Sequence, residues 1–167
     1  MPTAELLETT GEVAYETPTP WEEVDAALAG SRSTSWLVTE RSDGRPHQRP
    51  VWAEWVDGWL YFCCGRTAKA GHLRRDPRCS IAVPTRDLDV VLEGRAHRVE
   101  DEAELHRVRD AYATKGWAPV VRDGTLHDVL GAPTAGLPPY DVYRVEPDAA
   151  YGFPTSDAGL SPTRWRF

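Results

Sequence analysis

The stretch FCCGRTAKAGHLRRDPR, residues 62–78, gathers the side chains of this sequence best suited to chemistry. Two thiols, Cys63 and Cys64, stand directly before Gly65, Arg66, Thr67 and Lys69. Thiols suit a metal or a redox couple, whereas a glycine, a hydroxyl and an ammonium suit a bound phosphate. Neighbouring residues on a strand point to opposite faces, so Cys63 and Cys64 do not readily share one metal. No Cys-x-x-Cys or His-x-x-x-His pair supplies ligands at zinc-like spacing, and the five histidines (47, 72, 97, 106, 127) are scattered. No metal site is expected. With Cys79 the thiols number three, an odd count that does not suit a disulfide framework. All three read as small buried hydrophobes.

The phosphate reading has a physical basis. A helix N-terminus offers directed N–H donors and a positive dipole end, and a hydroxyl and a cation complete an anion shell. Gly65 permits an unusual backbone, Thr67 brings the hydroxyl, Lys69 the ammonium and Arg66 a second cation. The same residues also describe a helix capped by Thr67 with Lys69 and Arg74 on its surface, and spacing alone leaves both readings open. On either, replacing a partly exposed Lys69 changes stability little. The glycine-rich nucleotide loops and the nucleophile elbow, G-x-x-x-x-G-K, G-x-G-x-x-G and G-x-S-x-G, are absent.

The elements around this stretch are short. Thr19-Pro20-Trp21-Glu22 predicts a helix over 20–29, with Thr19 as N-cap, Pro20 at the first position and Gly30 as the stop. From there the period changes to that of strands: 34–39, 47–56 and 59–64, with Asp43-Gly44 and Asp57-Gly58 as hairpin turns. Residues 67–75 suit a short helix closed by Pro77. Strands follow at 79–84 and 89–100, then an amphipathic helix over 101–117 with Leu105, Val108 and Tyr112 on one stripe. Residues 118–139, rich in Gly and Pro, are expected as a long ordered loop, and 140–147 as a last long strand before PTRWRF. Trp52 and Trp55 face opposite ways if strand 47–56 is regular, so one is free to pack a planar ring. Core or interface packing describes each equally well, and Trp165-Arg166 equally suits an anchor for the C-terminus. The pattern is mainly β, a small antiparallel barrel with a few helices, and it lacks the βαβ alternation of a doubly wound fold.

The chain has 167 residues, enough for one domain with a real core. Its formal charge of −7 is concentrated at one end: residues 1–30 hold seven acids and no Lys or Arg, and the remainder is balanced. Residues 1–18 are expected as an irregular acidic arm, and 19–167 as the domain. No clustered basic face suits nucleic acid. No apolar run approaches membrane-spanning length, and no basic-then-apolar leader opens the chain. A cytoplasmic protein is expected.

TAKAGHLRRDPR resembles the flavin-phosphate segment of the pyridoxamine 5′-phosphate oxidase-like, FMN-binding split β-barrel family. That pattern runs Ser-Arg-Lys, three residues, Leu, two residues, Asn or Asp, Pro, Arg, and Thr67, Lys69, Leu73, Asp76, Pro77 and Arg78 occupy its slots. DGRPHQRPVWAEWVDGWLYFCCG resembles the two strands before it, VVLEGRAHRVED the long strand after it, and TRWRF the ending of actinobacterial-type members. The likeness covers about residues 33–115 and the last strand.

The resemblance implies a homodimeric oxidoreductase. FMN, or in some branches a deazaflavin coenzyme, would bind at the subunit interface and exchange hydride or electrons with a small molecule. It places Pro50, Val51 and Trp52 along the ring, partly through backbone, with Arg49 beside them as a further cofactor-binding residue. Thr67 and Lys69 would hold the phosphate, with Cys64, Gly65, Arg66 and His72 beside them, and Trp165 and Arg166 would reach the cofactor from the last strand, in the same chain or across the dimer. Ala68 departs from the pattern by removing an arginine, unless Arg66 or Arg49 substitutes. His72 stands where related sequences carry Asn. The ending and the altered phosphate segment look closer to the uncharacterised and deazaflavin branches than to true pyridoxamine 5′-phosphate oxidation. No acid or base is assigned, and Tyr112, Lys115 and His72 are the side chains to weigh. A non-catalytic carrier or sensor of the cofactor, or a barrel that has lost it, are the competing readings.

Overall fold

Asp-Gly pairs punctuate this chain at 43–44, 57–58 and 123–124. Asp57 and Asp123 both sit at φ 51°, with Gly58 at 81° and Gly124 at 69°. Two successive positive φ values match the twist of a tight hairpin, and aspartate and glycine tolerate them. The computed structural model describes residues 1–8, 15–128 and 136–167. Its first half runs β1 (Thr3–Leu6), α1 (Trp21–Gly30), β2 (Ser35–Glu40), β3 (Pro46–Val51), β4 (Ala53–Val56), β5 (Trp59–Cys64) and α2 (Ala68–Arg75). The second half runs β6 (Arg78–Pro84), β7 (Leu88–Arg98), α3 (Glu102–Thr114), β8 (Val120–Arg122), β9 (Thr125–His127), β10 (Asp141–Pro154) and β11 (Thr163–Arg166).

All pairings are antiparallel. The main path is β1-β11-β10-β7-β6-β2-β3, and β5, which carries β4, joins it on β10. β10 is the backbone of the fold: β7 runs along one side of it, while β5 takes residues 141–145 and β11 takes 149–152 on the other. One edge is thus divided between two partners, which splits the sheet as the split β-barrel requires.

Register explains the core. Ala4, Trp165, Ala150, Leu92, Ile81 and Leu37 are consecutive cross-strand partners from β1 to β2, so they share one face. From Trp165 to Leu37 every member is buried, and the row forms the floor of the main core. The row one residue over points outward: Glu5, Arg164, Tyr151, Val91, Ala82, Trp36 and Pro50. A second core lies between β5, β10 and α3, around Leu105, Val108 and Tyr112, the stripe predicted from sequence. Each such side chain contributes on the order of 2 kcal/mol of burial.

Several sequence expectations are corrected. Thr19 does not cap α1; Pro20 is the N-cap residue and makes no side-chain capping bond. Thr19 Oγ1 instead donates to Ser161 O and accepts from Ser161 N, because the C-terminal tail supplies a partner that a local cap would forfeit. The acidic arm is not wholly irregular: β1 pairs with β11, and Glu5 takes both Arg164 and Arg166. Residues 9–14 of that arm lie outside the described residues. Strand 47–56 breaks at Trp52. The last strand does not stop at Pro147 but runs to Pro154, because a bulge between Pro147 and Ala149 absorbs the proline. Part of the long loop is the β8–β9 hairpin, and 129–135 lies outside the described residues. Among the described residues no helix is long and apolar enough to cross a membrane.

Candidate functional site

β5 delivers the chain to α2. Its alternation sends Cys63 to the α3 side and Cys64 into the main core. Burial pushes their thiols up to about 12 and about 11, so neither supplies a thiolate near neutrality. Cys79 is raised to about 12 for the same reason.

Past Gly65 the chain turns, with Thr67 N donating to Gly65 O at 2.8 Å, and α2 begins. Thr67 stands at the N-cap in extended conformation (φ −121°, ψ 165°), yet its hydroxyl makes no capping bond. Thr67 Oγ1 is buried and makes no hydrogen bond to the helix, lying beside the Cys64 thiol. Two positions on, Lys69 is only 4% exposed. Its charge acts on the Cys63 and Cys64 thiols at the end of β5. Among the described residues its ammonium forms no hydrogen bond and no ion pair. The stem is buried, while the ammonium keeps some access to solvent and has no counter-charge of its own among the described residues. An anion would relieve both deficits, and the first-turn N–H groups of α2 need acceptors as well. The surface-lysine alternative is therefore wrong about Lys69.

A cleft of about 540 Å³ opens at this N-terminus, lined by Gly65, Arg66, Thr67, Arg74, Pro139 and Asp141. Asp141 is paired with Arg98 at 2.8 Å, whereas Arg66 and Arg74 carry no ion pair among the described residues. Arg66 and Arg74 thus offer the guanidinium that Ala68 removes. Arg74 was missed as a candidate, because its placement depends on the helix lying across the end of β10. Lys69 and Cys64 are buried and do not line this cleft.

One turn beyond Lys69, His72 Nδ1 lies 3.0 Å from Thr39 Oγ1, and its ring meets His47 edge-on at 4.8 Å. His47, Arg49 and Val51 share one face of β3, opposite Thr39, Leu37 and Ser35; His47 and Val51 are buried there and Arg49 is not. His47 is buried with Nδ1 unpartnered. Burial, then Arg49, His72 and Arg41, hold its pKa down, and burial with Arg75 and Arg41 does the same for His72. Thr39 and His47 escaped the sequence reading; the β2–β3 register that joins them to His72 is a long-range fact. Arg49 is exposed and donates to Gln48 O at 2.7 Å.

Pro50, Val51 and Trp52 form the junction between β3 and β4. Val51 is buried in the core, leaving only its backbone for a ligand. Trp52 is 41% exposed, edge-on to Tyr112 and tilted against Trp117. Trp55 faces the other core and donates from Nε1 to Asp25 at 2.9 Å. The two tryptophans serve opposite sides, although the strand whose regular alternation was to separate them breaks at Trp52.

Within one chain the last strand does not join this group. Trp165 is 0% exposed, edge-on to Trp21, and donates from Nε1 to Thr19 O at 3.0 Å. It has no surface left for a ligand. β11 also pairs with the far end of β10 from Cys64, nine residues along between Asp141 and Ala150, or roughly 30 Å of strand. Arg166 is exposed and paired with Glu5. The three side chains weighed as acids or bases are engaged: Tyr112 donates to Trp52 O at 2.9 Å, Lys115 holds Glu54 at 2.7 Å and Ser31 O at 2.8 Å, and His72 holds Thr39.

No functionally curated protein matches the sequence. Among solved structures the fold matches a conserved hypothetical protein from Mycobacterium tuberculosis, at TM-score 0.65 and 25% identity over 85% of this chain and 89% of that one. It also matches general stress protein 26 from Bacillus anthracis, at TM-score 0.59 and 21% identity over 87% and 97% of the two chains. A FAD-binding protein from Mesorhizobium loti matches at TM-score 0.53 and 21% identity, over 89% and 96%. A sequence profile described as pyridoxamine 5′-phosphate oxidase matches residues 20–153, a span that holds α1, the β2–β7 strands, α2 and α3. By that span, and by the split sheet that carries it, the chain belongs to the pyridoxamine 5′-phosphate oxidase family.

Proposed function

We propose that this protein binds FMN, or alternatively the deazaflavin coenzyme, and serves as an oxidoreductase toward a small molecule. One observation carries the reading: Lys69 is a buried side chain whose ammonium has no counter-charge among the described residues, two residues past a buried hydroxyl that makes no capping bond at a helix N-terminus. A phosphate monoester supplies the missing charge and acceptors. Thr67, Arg66, Arg74 and the first-turn N–H groups of α2 would hold it at the cleft, and Lys69, which lies behind that lining, would turn toward it on binding. Pro50, Val51 and Trp52 would line the ring. The bound ring supplies hydride or electron transfer, while the protein orients it and sets its surroundings. The FAD-binding relative supports a flavin-type ligand in a barrel of this shape.

The functional unit in this reading is a homodimer. The outward row Tyr151, Val91, Ala82, Trp36 and Pro50 gives a continuous, partly exposed apolar stripe, with Trp36, 44% exposed, next to its Pro50 end. Such a stripe on a sheet face suits a second copy. It ends at Pro50, so an interface there would run up to the ring-lining stretch. Trp36→Glu is expected to give a monomer by sedimentation.

A carrier without turnover is favoured by a separate observation, the engagement of Tyr112, Lys115 and His72 noted above. Thermal unfolding of the full chain with added FMN, and separately with the deazaflavin coenzyme, tests the binding reading. A melting temperature that rises with concentration of one of them is expected. A temperature unmoved by either removes the reading. Reduction and reoxidation of the bound ring by candidate substrates then separates enzyme from carrier.

A further inference from the structure

Trp52 belongs to neither strand. β3 ends at Val51, paired with Ser35 of β2, and β4 begins at Ala53, paired with Phe62 of β5. The chain changes partner across one residue, which is where a ladder loses its hold on the backbone. The Trp52 carbonyl is not left to water: the Tyr112 hydroxyl reaches it from α3 at 2.9 Å.

That hydroxyl is well supported. Tyr112 is 0% exposed, in the stripe that packs α3 on β5 and β10. Its ring meets Trp52 edge-on at 5.6 Å and 89°, and Trp117 edge-on at 4.9 Å. Burial raises its hydroxyl well above the ordinary tyrosine value, so it stays a donor across the working range. One turn later Lys115 crosses to Glu54, two residues past Trp52, and to Ser31 O beyond α1. The last turn of α3 therefore touches the junction at Trp52 and Glu54, while Asp101 fixes its other end by accepting from Glu104 N at 2.7 Å. On the opposite side of the junction Pro50 has a locked φ. The stretch Pro50-Val51-Trp52 is thus restrained from both ends.

We propose that Tyr112 is the positioning residue of the ligand-facing junction: through its hydroxyl, α3 fixes the Trp52 carbonyl and with it the backbone of Pro50-Val51-Trp52. This rests on the reading that a planar ring lies along that stretch. Restraint of this kind raises affinity by lowering the ordering cost of binding. It also assigns Tyr112 a role other than proton transfer.

The test compares Tyr112→Phe, which removes only the hydroxyl, with Val108→Ala, which thins the same buried stripe without touching the junction. Without ligand, amide exchange at residues 51–54 is expected to quicken about tenfold in Tyr112→Phe, and only in step with global stability in Val108→Ala. With FMN as probe, Tyr112→Phe is expected to bind about fivefold more weakly and to shift the bound absorbance bands. Val108→Ala is expected to lower the melting temperature and leave those bands in place. Should Tyr112→Phe fail to fold, 3-fluorotyrosine at position 112, a stronger donor of the same shape, must slow exchange at 51–54. Unchanged exchange in Tyr112→Phe, or equal band shifts in both variants, overturns the positioning role. A parent chain that binds neither FMN nor the deazaflavin coenzyme overturns the ring reading, and the exchange comparison still decides the junction.

Discussion

The Trp165 indole donates to the main-chain carbonyl of Thr19 at 3.0 Å, while its six-membered ring lies so close to Gly152 that a Cβ there would come within 2.6 Å of it. The last strand is thereby bolted to the start of α1 and seated over the one residue of β10 that leaves room. Trp165→Phe loses the hydrogen bond and part of the ring. A loss of about 2–3 kcal/mol is expected by urea unfolding. FMN affinity per folded molecule should be unchanged. Weakened binding with stability intact would return Trp165 to the cofactor.

His47 gives a pH signature. Its folded pKa is held below the ordinary 6.5 by burial and by Arg49, His72 and Arg41, so the unfolded chain takes up its proton first. Stability is then fully present above about pH 6.5 and is lost as pH falls from there toward the depressed folded value. His72, in contact and shifted the same way, adds to the slope. Denaturant midpoints measured from pH 8 to 5.5 should fall for the parent and fall less for His47→Leu. Parallel profiles for the two proteins would place the slope elsewhere.

How much of this was legible beforehand depends on the range of the signal. Asp57-Gly58 and the Leu105, Val108, Tyr112 stripe are local patterns, and they read correctly. Asp123-Gly124 carries the same turn signal but was absorbed into a Pro- and Gly-rich stretch. Pro147 reads as a strand end because the bulge that accommodates it is a property of the β7 pairing. Thr19 has the look of a cap, and the residue that takes its hydroxyl is Ser161, 142 positions away. The site divides in the same way. Gly65, Arg66 and Thr67 come together because they are adjacent, whereas Arg74, Thr39 and His47 reach it only through tertiary packing. Burial of Lys69 could not be read from spacing, since its two helical neighbours Ala68 and Ala70 differ in exposure.

Cys63 and Cys64 supply a further prediction. Both thiols are raised by burial and face separate cores. Replacing both with Ala should lower stability by about 1–2 kcal/mol, as small cavities do, and leave cofactor loading and any redox turnover intact. Normal loading with abolished turnover would establish a thiol role.

The Lys69 side chain bears most directly on the central claim. Full-length parent, Lys69→Met and, as a control, Arg86→Met are titrated with FMN and the deazaflavin coenzyme, with inorganic phosphate as competitor. Saturable binding to the parent, opposed by phosphate, is expected. Lys69→Met should bind at least tenfold more weakly, in line with a charge-assisted contact of about 1.5–3 kcal/mol, while unfolding at about the same denaturant concentration because the ammonium makes no ion pair. Arg86→Met should match the parent. Equal affinity in Lys69→Met and parent, or no binding of either ring to the parent, would contradict a phosphate held at the start of α2.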